Sequence, residues 1–169
     1  MLPTRTSRLQ ISKFTLADAP FFLELTNSPN WIKYIGDRNL KTVKDAEDYL
    51  KQGTLKSYDE FGFGFYKLSL KDSNIPVGTC GLIKRDTLDD VDLGFAMLPQ
   101  FEGKGFGYES SVKILELAKS SFQINRVAAI TLPINKNSIK LIEKLGFKLQ
   151  KKVKPFDDGE ELLLFAKVL

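Results

Sequence analysis

Alternating apolar and polar residues mark three consecutive strands in the middle of the chain. Residues 61–70 carry alternating apolar residues, first Phe61, Phe63 and Phe65 and then Leu68 and Leu70, as a half-buried strand does. The polar triplet Asp72-Ser73-Asn74 then predicts a hairpin turn into a second strand at residues 76–83. A third strand, residues 91–98, follows a turn at residues 86–90. The pattern therefore predicts a three-stranded meander.

Apolar residues at helical spacing predict four helices around these strands. The first covers about residues 16–27, and the second begins after the N-cap Thr42 and ends near Gly53. A long amphipathic helix follows a glycine-rich turn at residues 100–109. A short helix begins at Asn135 and ends at Gly146, a residue type that commonly stops helices.

Four more segments are predicted as strands, at residues 8–14, 126–132, 147–153 and 162–168. The resulting order, β-α-α-β-β-β-α-β-α-β-β, predicts a mixed α/β sheet with helices on both faces. A length of 169 residues suits one core, so we expect a single domain over residues 1–169.

Composition narrows the chemistry and the partners. The chain has no histidine and one cysteine, Cys80, so catalysis would use carboxylates, hydroxyls, backbone or water, and no metal is expected. Its 25 basic and 21 acidic residues are interspersed, which argues against nucleic acid as a partner. No apolar run reaches the roughly 18 residues of a membrane span, and the first residues lack a signal core. We therefore expect a cytoplasmic protein that does not bind membranes.

The glycine-rich turn is a candidate anion cradle. Glycine permits positive φ and close approach of a ligand, and the helix that follows leaves its first amides unpaired. Those amides and the helix dipole suit a phosphate or pyrophosphate. The alternative is a tight strand-to-helix connection without a ligand.

Two motifs about 30 residues apart identify the chain as similar to a known family. Gln100-Phe101-Glu102-Gly103-Lys104-Gly105 resembles the Gln/Arg-x-x-Gly-x-Gly/Ala motif of the Gcn5-related N-acetyltransferase (GNAT) superfamily. The segment Asn135-Lys136-Asn137-Ser138, followed by Glu143-Lys144-Leu145-Gly146-Phe147, resembles its second conserved region, and more narrowly the ribosomal-protein alanine N-acetyltransferase branch. Asp92-Leu93-Gly94-Phe95 and Ser7-Arg8-Leu9 fit the same branch.

This resemblance implies a mostly antiparallel, twisted sheet in which one parallel strand pair splays apart to bind acetyl-CoA. The pyrophosphate would lie on the backbone amides of Gly103, Lys104, Gly105, Phe106 and Gly107. The pantetheine arm would lie beside Met97 and Leu98, and Asn135 would make a further contact with the coenzyme. For the side chains of Met97 and Leu98 the alternative is core packing. Acetyl-CoA would be a co-substrate.

The implied reaction is attack of a neutral amine on a thioester, so a base and an acid are needed. The resemblance points to Asp92 as the base, with water or a solvated role for this carboxylate as alternatives. Many superfamily members carry a tyrosine acid where this chain has Ile142, and the branch instead implicates Ser138. Ser138 and Asn135 could alternatively serve to cap their own helix.

The leading functional hypothesis is acetyl transfer from acetyl-CoA to the primary amine of a protein N-terminus or a small molecule, in a ternary complex. The acceptor pocket would be built from residues 27–61 and those after 153. The alternative from another class is a non-catalytic acyl-CoA sensor or interaction module, because a cradle binds coenzyme without guaranteeing chemistry. We expect a monomer or a homodimer.

Overall fold

The computed structural model describes residues 2–169, and within them one mixed sheet is surrounded by helices. The strands are β1 (Thr4–Arg5), β2 (Leu9–Lys13), β3 (Phe65–Leu70), β4 (Pro76–Ile83), β5 (Val91–Met97), β6 (Arg126–Thr131), β7 (Lys148–Val153) and β8 (Leu162–Val168). The α-helices are α1 (Ala19–Thr26), α2 (Pro29–Tyr34), α3 (Val43–Leu50), α4 (Lys56–Phe61), α5 (Phe106–Ser120) and α6 (Lys136–Lys144). Residues 2–169 include no helix with both the length and the apolar character that a membrane crossing requires.

The sheet has the strand order β1-β2-β3-β4-β5-β6-β8-β7 and is antiparallel except between β5 and β6. These two parallel strands pair at Val91 with Val127 and at Asp92 with Ala128, and they separate beyond that point. The connection between them runs through α5, as a parallel pair requires. The predicted meander and the splayed parallel pair are both confirmed.

Helices cover both faces of the sheet, as the element order predicts. Neighbouring residues of a strand point to opposite faces, so Phe65 and Tyr66 of β3 report on the two sides. Tyr66 packs in the main core with Ile114 of α5. Phe65 packs instead with Phe22 of α1 and Leu50 of α3. The sheet is therefore the middle layer between α5 and the α1–α3 region.

Two predicted boundaries are wrong. The second helix does not end near Gly53, because α3 continues through a π-helical turn, Lys51–Leu55, directly into α4. Gly62, at φ 79°, ends the helix, and the strand predicted from residue 61 begins at Phe65. A mid-helix glycine costs only about 1 kcal/mol relative to alanine, which packing of Leu50 and Tyr58 in the core can offset.

Two short elements have no counterpart in the predicted order. These are α2, which begins at Pro29 shortly after α1 ends, and β1, which pairs with β2. Proline at the first helical position loses no hydrogen bond, so Pro29 can begin α2.

Candidate functional site

The glycine-rich turn forms an open loop in front of α5. Gly103 has φ 69° and Gly105, the N-cap of α5, has φ 83°, a region that other residues rarely adopt. A Cβ placed on Gly103 would meet nothing within 4 Å, so the loop backbone is accessible. Along residues 2–169 no side chain caps the start of α5. The first amides of the helix are therefore free to bind an anion.

The gap between β5 and β6 leaves part of β5 without a second partner strand. Along β5, backbone groups point alternately toward β4 and toward the gap. Leu98, just after the strand, donates its amide to the Val77 carbonyl at 2.8 Å and accepts from the Phe101 amide at 2.9 Å. Its backbone is thus already paired, whereas the alternation turns Met97 toward the gap. The Leu98 side chain is buried with Leu25 and Trp31.

One cavity of about 1230 Å³ runs along this gap. It exceeds the roughly 300–1,000 Å³ that is usual for a single small ligand, so two substrates can share it. The predicted site residues on its wall are Asp92, Met97, Gly103, Gly105, Phe106, Gly107, Asn135 and Ser138. Leu98 and Lys104 are not part of that wall. The structure therefore brings the glycine loop, the candidate base and the candidate acid to one space.

Asp92 lies at the point where the two parallel strands separate, and it is 2% exposed. A solvated role for this carboxylate is therefore wrong. Its Oδ2 accepts a hydrogen bond from Arg85 Nε at 3.2 Å, while its buried Oδ1 has no partner within residues 2–169. Burial raises the pKa of Asp92, and the nearby Arg85 guanidinium opposes that rise. The result is a desolvated carboxylate with one oxygen unpaired.

Arg85 is a functional candidate that the sequence did not single out. It comes from the turn after β4, and its guanidinium lies 5.1 Å from the ring centre of Phe156, in the loop between β7 and β8. Its side chain is 25% exposed on the cavity wall. The pairing with Asp92 joins residues seven positions apart across the turn between β4 and β5, a contact without a sequence motif.

Helix α6 supplies the other polar groups of the cavity. Asn135 caps the helix, because its Oδ1 accepts from the Ser138 amide at 3.2 Å. The Ser138 hydroxyl forms no hydrogen bond to any residue of the described chain, so it does not cap the helix. Ile142, one turn further, is 1% exposed and also lines the cavity. Of these three side chains, Ser138 is the one with a free hydroxyl facing the same space as Asp92.

Three further side chains are buried. Cys80 is buried against Ser111, at 3.5 Å between Sγ and Oγ, and burial raises the pKa of its thiol to about 11. Tyr58 is 8% exposed and accepts from the Phe14 amide at 3.1 Å. Trp31 is 6% exposed and packs edge-on against Phe22, although it also reaches the cavity wall. Tyr58 thus packs in the main core.

Comparison with known proteins agrees with this geometry. A family profile described as acetyltransferase (GNAT) domain matches residues 8–148. The uncharacterized N-acetyltransferase p20 of Bacillus licheniformis is 26% identical over 160 residues, covering 94% of this chain and 89% of its own.

Solved structures share the fold. An acetyltransferase from Agrobacterium tumefaciens superposes with a TM-score of 0.84 at 21% identity, over 100% of this chain and 95% of its own. RimL, described as a ribosomal L7/L12 alpha-N-protein acetyltransferase in complex with coenzyme A, gives a TM-score of 0.81 at 12% identity, over 99% and 97% of the two chains.

Proposed function

Since the chain belongs to the GNAT family and is an acetyl-CoA-dependent N-acetyltransferase, we propose that it acetylates the primary amine of an α-aminoacyl group, at a protein N-terminus or on a small molecule. The observation that carries the proposal is the cavity at the splay, where a buried carboxylate with an unpaired oxygen shares one space with a glycine-rich anion cradle. That arrangement suits direct transfer in a ternary complex.

The residues present fit acetyl-CoA. The two positive-φ glycines leave the loop backbone open, and the uncapped amides at the start of α5 suit its pyrophosphate. The unpaired edge of β5 near Met97 suits the amides of the pantetheine arm, which need partners once buried. When bound, acetyl-CoA supplies the activated acyl group. Asn135 serves this site indirectly, by holding the first turn of α6 in place.

Asp92 is proposed as the base that takes a proton from the acceptor ammonium. Burial makes its carboxylate more basic, and the unpaired Oδ1 is the atom that would receive the proton. The demand on this base depends on the acceptor. At pH 7.5 roughly a third of α-amines, but only about 0.1% of lysine side chains, are neutral at their reference pKa values. A weakly basic carboxylate is therefore matched to an α-amine.

Ser138 is proposed as the hydrogen-bond donor to the departing thiolate. Its hydroxyl is free of intramolecular bonds and lies on the cavity wall, whereas Ile142 has no proton to give. A donor that acts only as charge develops lowers the barrier without tightening ground-state binding.

Arg85 supports the choice of an α-aminoacyl acceptor. Its Nε donates to the Asp92 carboxylate, and its two terminal nitrogens donate no hydrogen bond within residues 2–169. An ammonium at Asp92 would place an adjacent carbonyl or carboxylate oxygen beside these donors. A polyamine offers no such oxygen and meets an extra positive charge instead. The RimL description, an α-N-protein acetyltransferase, is consistent with the same class.

The test is acetyl transfer to a panel of N-terminal peptides, free amino acids, aminoglycosides and polyamines, read by mass spectrometry and by release of free thiol. Transfer to peptides or amino acids and not to polyamines is the expected result. Arg85→Gln should narrow that preference by raising KM for peptides. Coenzyme binding without transfer to any acceptor of the panel would refute the proposed acceptor class. The single-domain boundary and the monomeric or dimeric state stay predictions.

A further inference from the structure

Arg8, at the turn between β1 and β2, contacts both the glycine loop and the start of α5. Its Nη1 donates to the Lys104 carbonyl at 2.9 Å, and its guanidinium stacks on the Phe106 ring at 4.4 Å. Its Nε donates to Glu109 Oε2 at 2.7 Å. A Cβ built on Gly105 would lie 3.3 Å from its Nη2. One side chain thus touches the loop, its glycine N-cap and the first turn of α5.

The turn between β1 and β2 also binds Glu109 through the Thr6 hydroxyl and the Arg8 backbone amide. Glu109 Oε1 accepts from the Arg8 amide at 2.8 Å and from the Thr6 hydroxyl at 2.6 Å. Burial alone would raise the pKa of Glu109, but the hydrogen bonds from Thr6 and Arg8 outweigh it and lower that pKa. The carboxylate is therefore charged at neutral pH and fixes the orientation of the Arg8 guanidinium.

These contacts decide which way one peptide group of the cradle faces. The peptide bond is planar and trans, so the Lys104 carbonyl and the Gly105 amide point in opposite directions. Holding the carbonyl toward Arg8 turns the Gly105 N–H the other way. Glycines at positions 103 and 105 make the backbone easy to rotate, so this orientation needs an external contact. A flipped peptide would present a carbonyl oxygen to an anion instead of an amide.

We propose that Arg8 is a positioning residue of the coenzyme site, which holds the Lys104–Gly105 peptide in the orientation that binds pyrophosphate. This rests on the proposed assignment of the glycine loop to acetyl-CoA. The Arg8–Glu109 pair is partly exposed, at 47% and 17% for the two side chains, and such pairs add little to stability. The main effect of the contact is thus on ligand affinity.

The experiment compares Arg8→Ala, Arg8→Lys and Arg8→Gln with the wild type by calorimetric titration of coenzyme A. The matched control is Lys113→Ala, which removes an exposed ion pair to Glu116, at 2.9 Å, from the same helix. Arg8→Ala should weaken binding about 10- to 100-fold and raise KM for acetyl-CoA, with kcat within about twofold. Arg8→Lys should not restore affinity, because a lysine lacks the planar fork that reaches Lys104 and Glu109 together.

Two further ligands separate positioning from a direct charge contact. Dephospho-coenzyme A keeps the pyrophosphate, so Arg8→Ala should weaken its binding as much as it weakens the binding of coenzyme A. Pantetheine lacks the pyrophosphate and should bind Arg8→Ala and wild type alike. Three results would each overturn the proposal. Arg8→Ala could bind coenzyme A as tightly as wild type does, or Arg8→Lys could restore full affinity. The third is a loss of affinity for coenzyme A but not for dephospho-coenzyme A. A wild type that binds no coenzyme A would instead refute the assignment of the loop.

Discussion

Replacing Ser138 by alanine separates a catalytic hydroxyl from a structural one. The hydroxyl forms no hydrogen bond within residues 2–169 and lies half-buried on the cavity wall. Its removal therefore leaves no buried group unpaired, and alanine is a better helix former by up to about 0.7 kcal/mol. The free energy of unfolding of Ser138→Ala should equal that of wild type or exceed it slightly.

The effect on the reaction should be large. If the hydroxyl stabilises the departing thiolate, its loss removes one transition-state hydrogen bond and lowers kcat about 10- to 1000-fold, or roughly 1.4 to 4 kcal/mol. Coenzyme affinity should change little, because the ground state gains nothing from that bond.

Thr42→Ala is the matched control with the opposite pattern. The Thr42 hydroxyl accepts from the Asp45 amide at 3.1 Å at the start of α3, and it is not part of the cavity wall. Losing this cap should lower the free energy of unfolding by about 0.5 to 2 kcal/mol. Each kcal/mol corresponds to a fall of roughly 2–4 °C in Tm, and kcat should not change.

The assay measures initial rates by thiol release, coenzyme affinity by calorimetry and the denaturation midpoint on the same preparation of each variant. The acceptor is whichever member of the panel the wild type acetylates. Full turnover by Ser138→Ala would refute its catalytic role, and so would a loss of turnover that merely follows a loss of folded protein.

Four other predictions concern the cavity and the core. Asp92→Asn should lose most turnover at low pH and less as pH rises, because free neutral amine replaces the base; an unchanged pH profile would leave water in that role. Burial raises the pKa of Asp92 in the folded state above its value in the unfolded chain. As pH rises between these two pKa values, the unfolded chain loses its proton first, so wild type should lose stability relative to Asp92→Asn. Urea titrations at several pH values would measure this loss. Gly105→Val should abolish coenzyme binding in a folded protein, since residue 105 needs φ 83° and a side chain there would crowd Arg8, and retained affinity by calorimetry would contradict it. Native Cys80 should react with a thiol reagent at pH 8 far more slowly than the urea-unfolded chain, because it is buried with a pKa of about 11, and equal rates would contradict this.

The elements with strong local signals could be predicted from the sequence. The hairpin around residues 72–74 and the strand Pro76–Ile83 were readable because turn residues and alternation coincide there. Helix α6 was readable because Asn135 and Gly146 mark its two ends. The continuation of α3 through Gly53 into α4 could not be predicted from the sequence. It depends on how the residues on either side pack in the core, and no local sequence pattern indicates that packing.

In the candidate site, likewise, some residues could be predicted from the sequence and others could not. The glycine loop, Asp92, Asn135 and Ser138 belong to motifs of fixed spacing, so the sequence could nominate them. Arg85 could not be nominated, because its place beside Asp92 depends on how the turn after β4 folds and on Phe156 in a distant loop. The burial of Asp92 was hidden as well, since it sits in an acidic run that is typical of surface loops.

The two-residue contact between β5 and β6 is a seam in the sheet, and the proposed coenzyme site lies along it. On one side of the seam lie β1 to β5, and on the other β6, β8 and β7, each a continuous antiparallel ladder. Within residues 2–169, the backbone pairing across it is limited to the two positions at Val91 and Asp92. Opening along this line breaks fewer hydrogen bonds than opening either ladder, so the amides paired across it should exchange faster than those inside the ladders in the free protein. If coenzyme binds in this gap as proposed, it would contact both ladders, and its addition should slow that exchange.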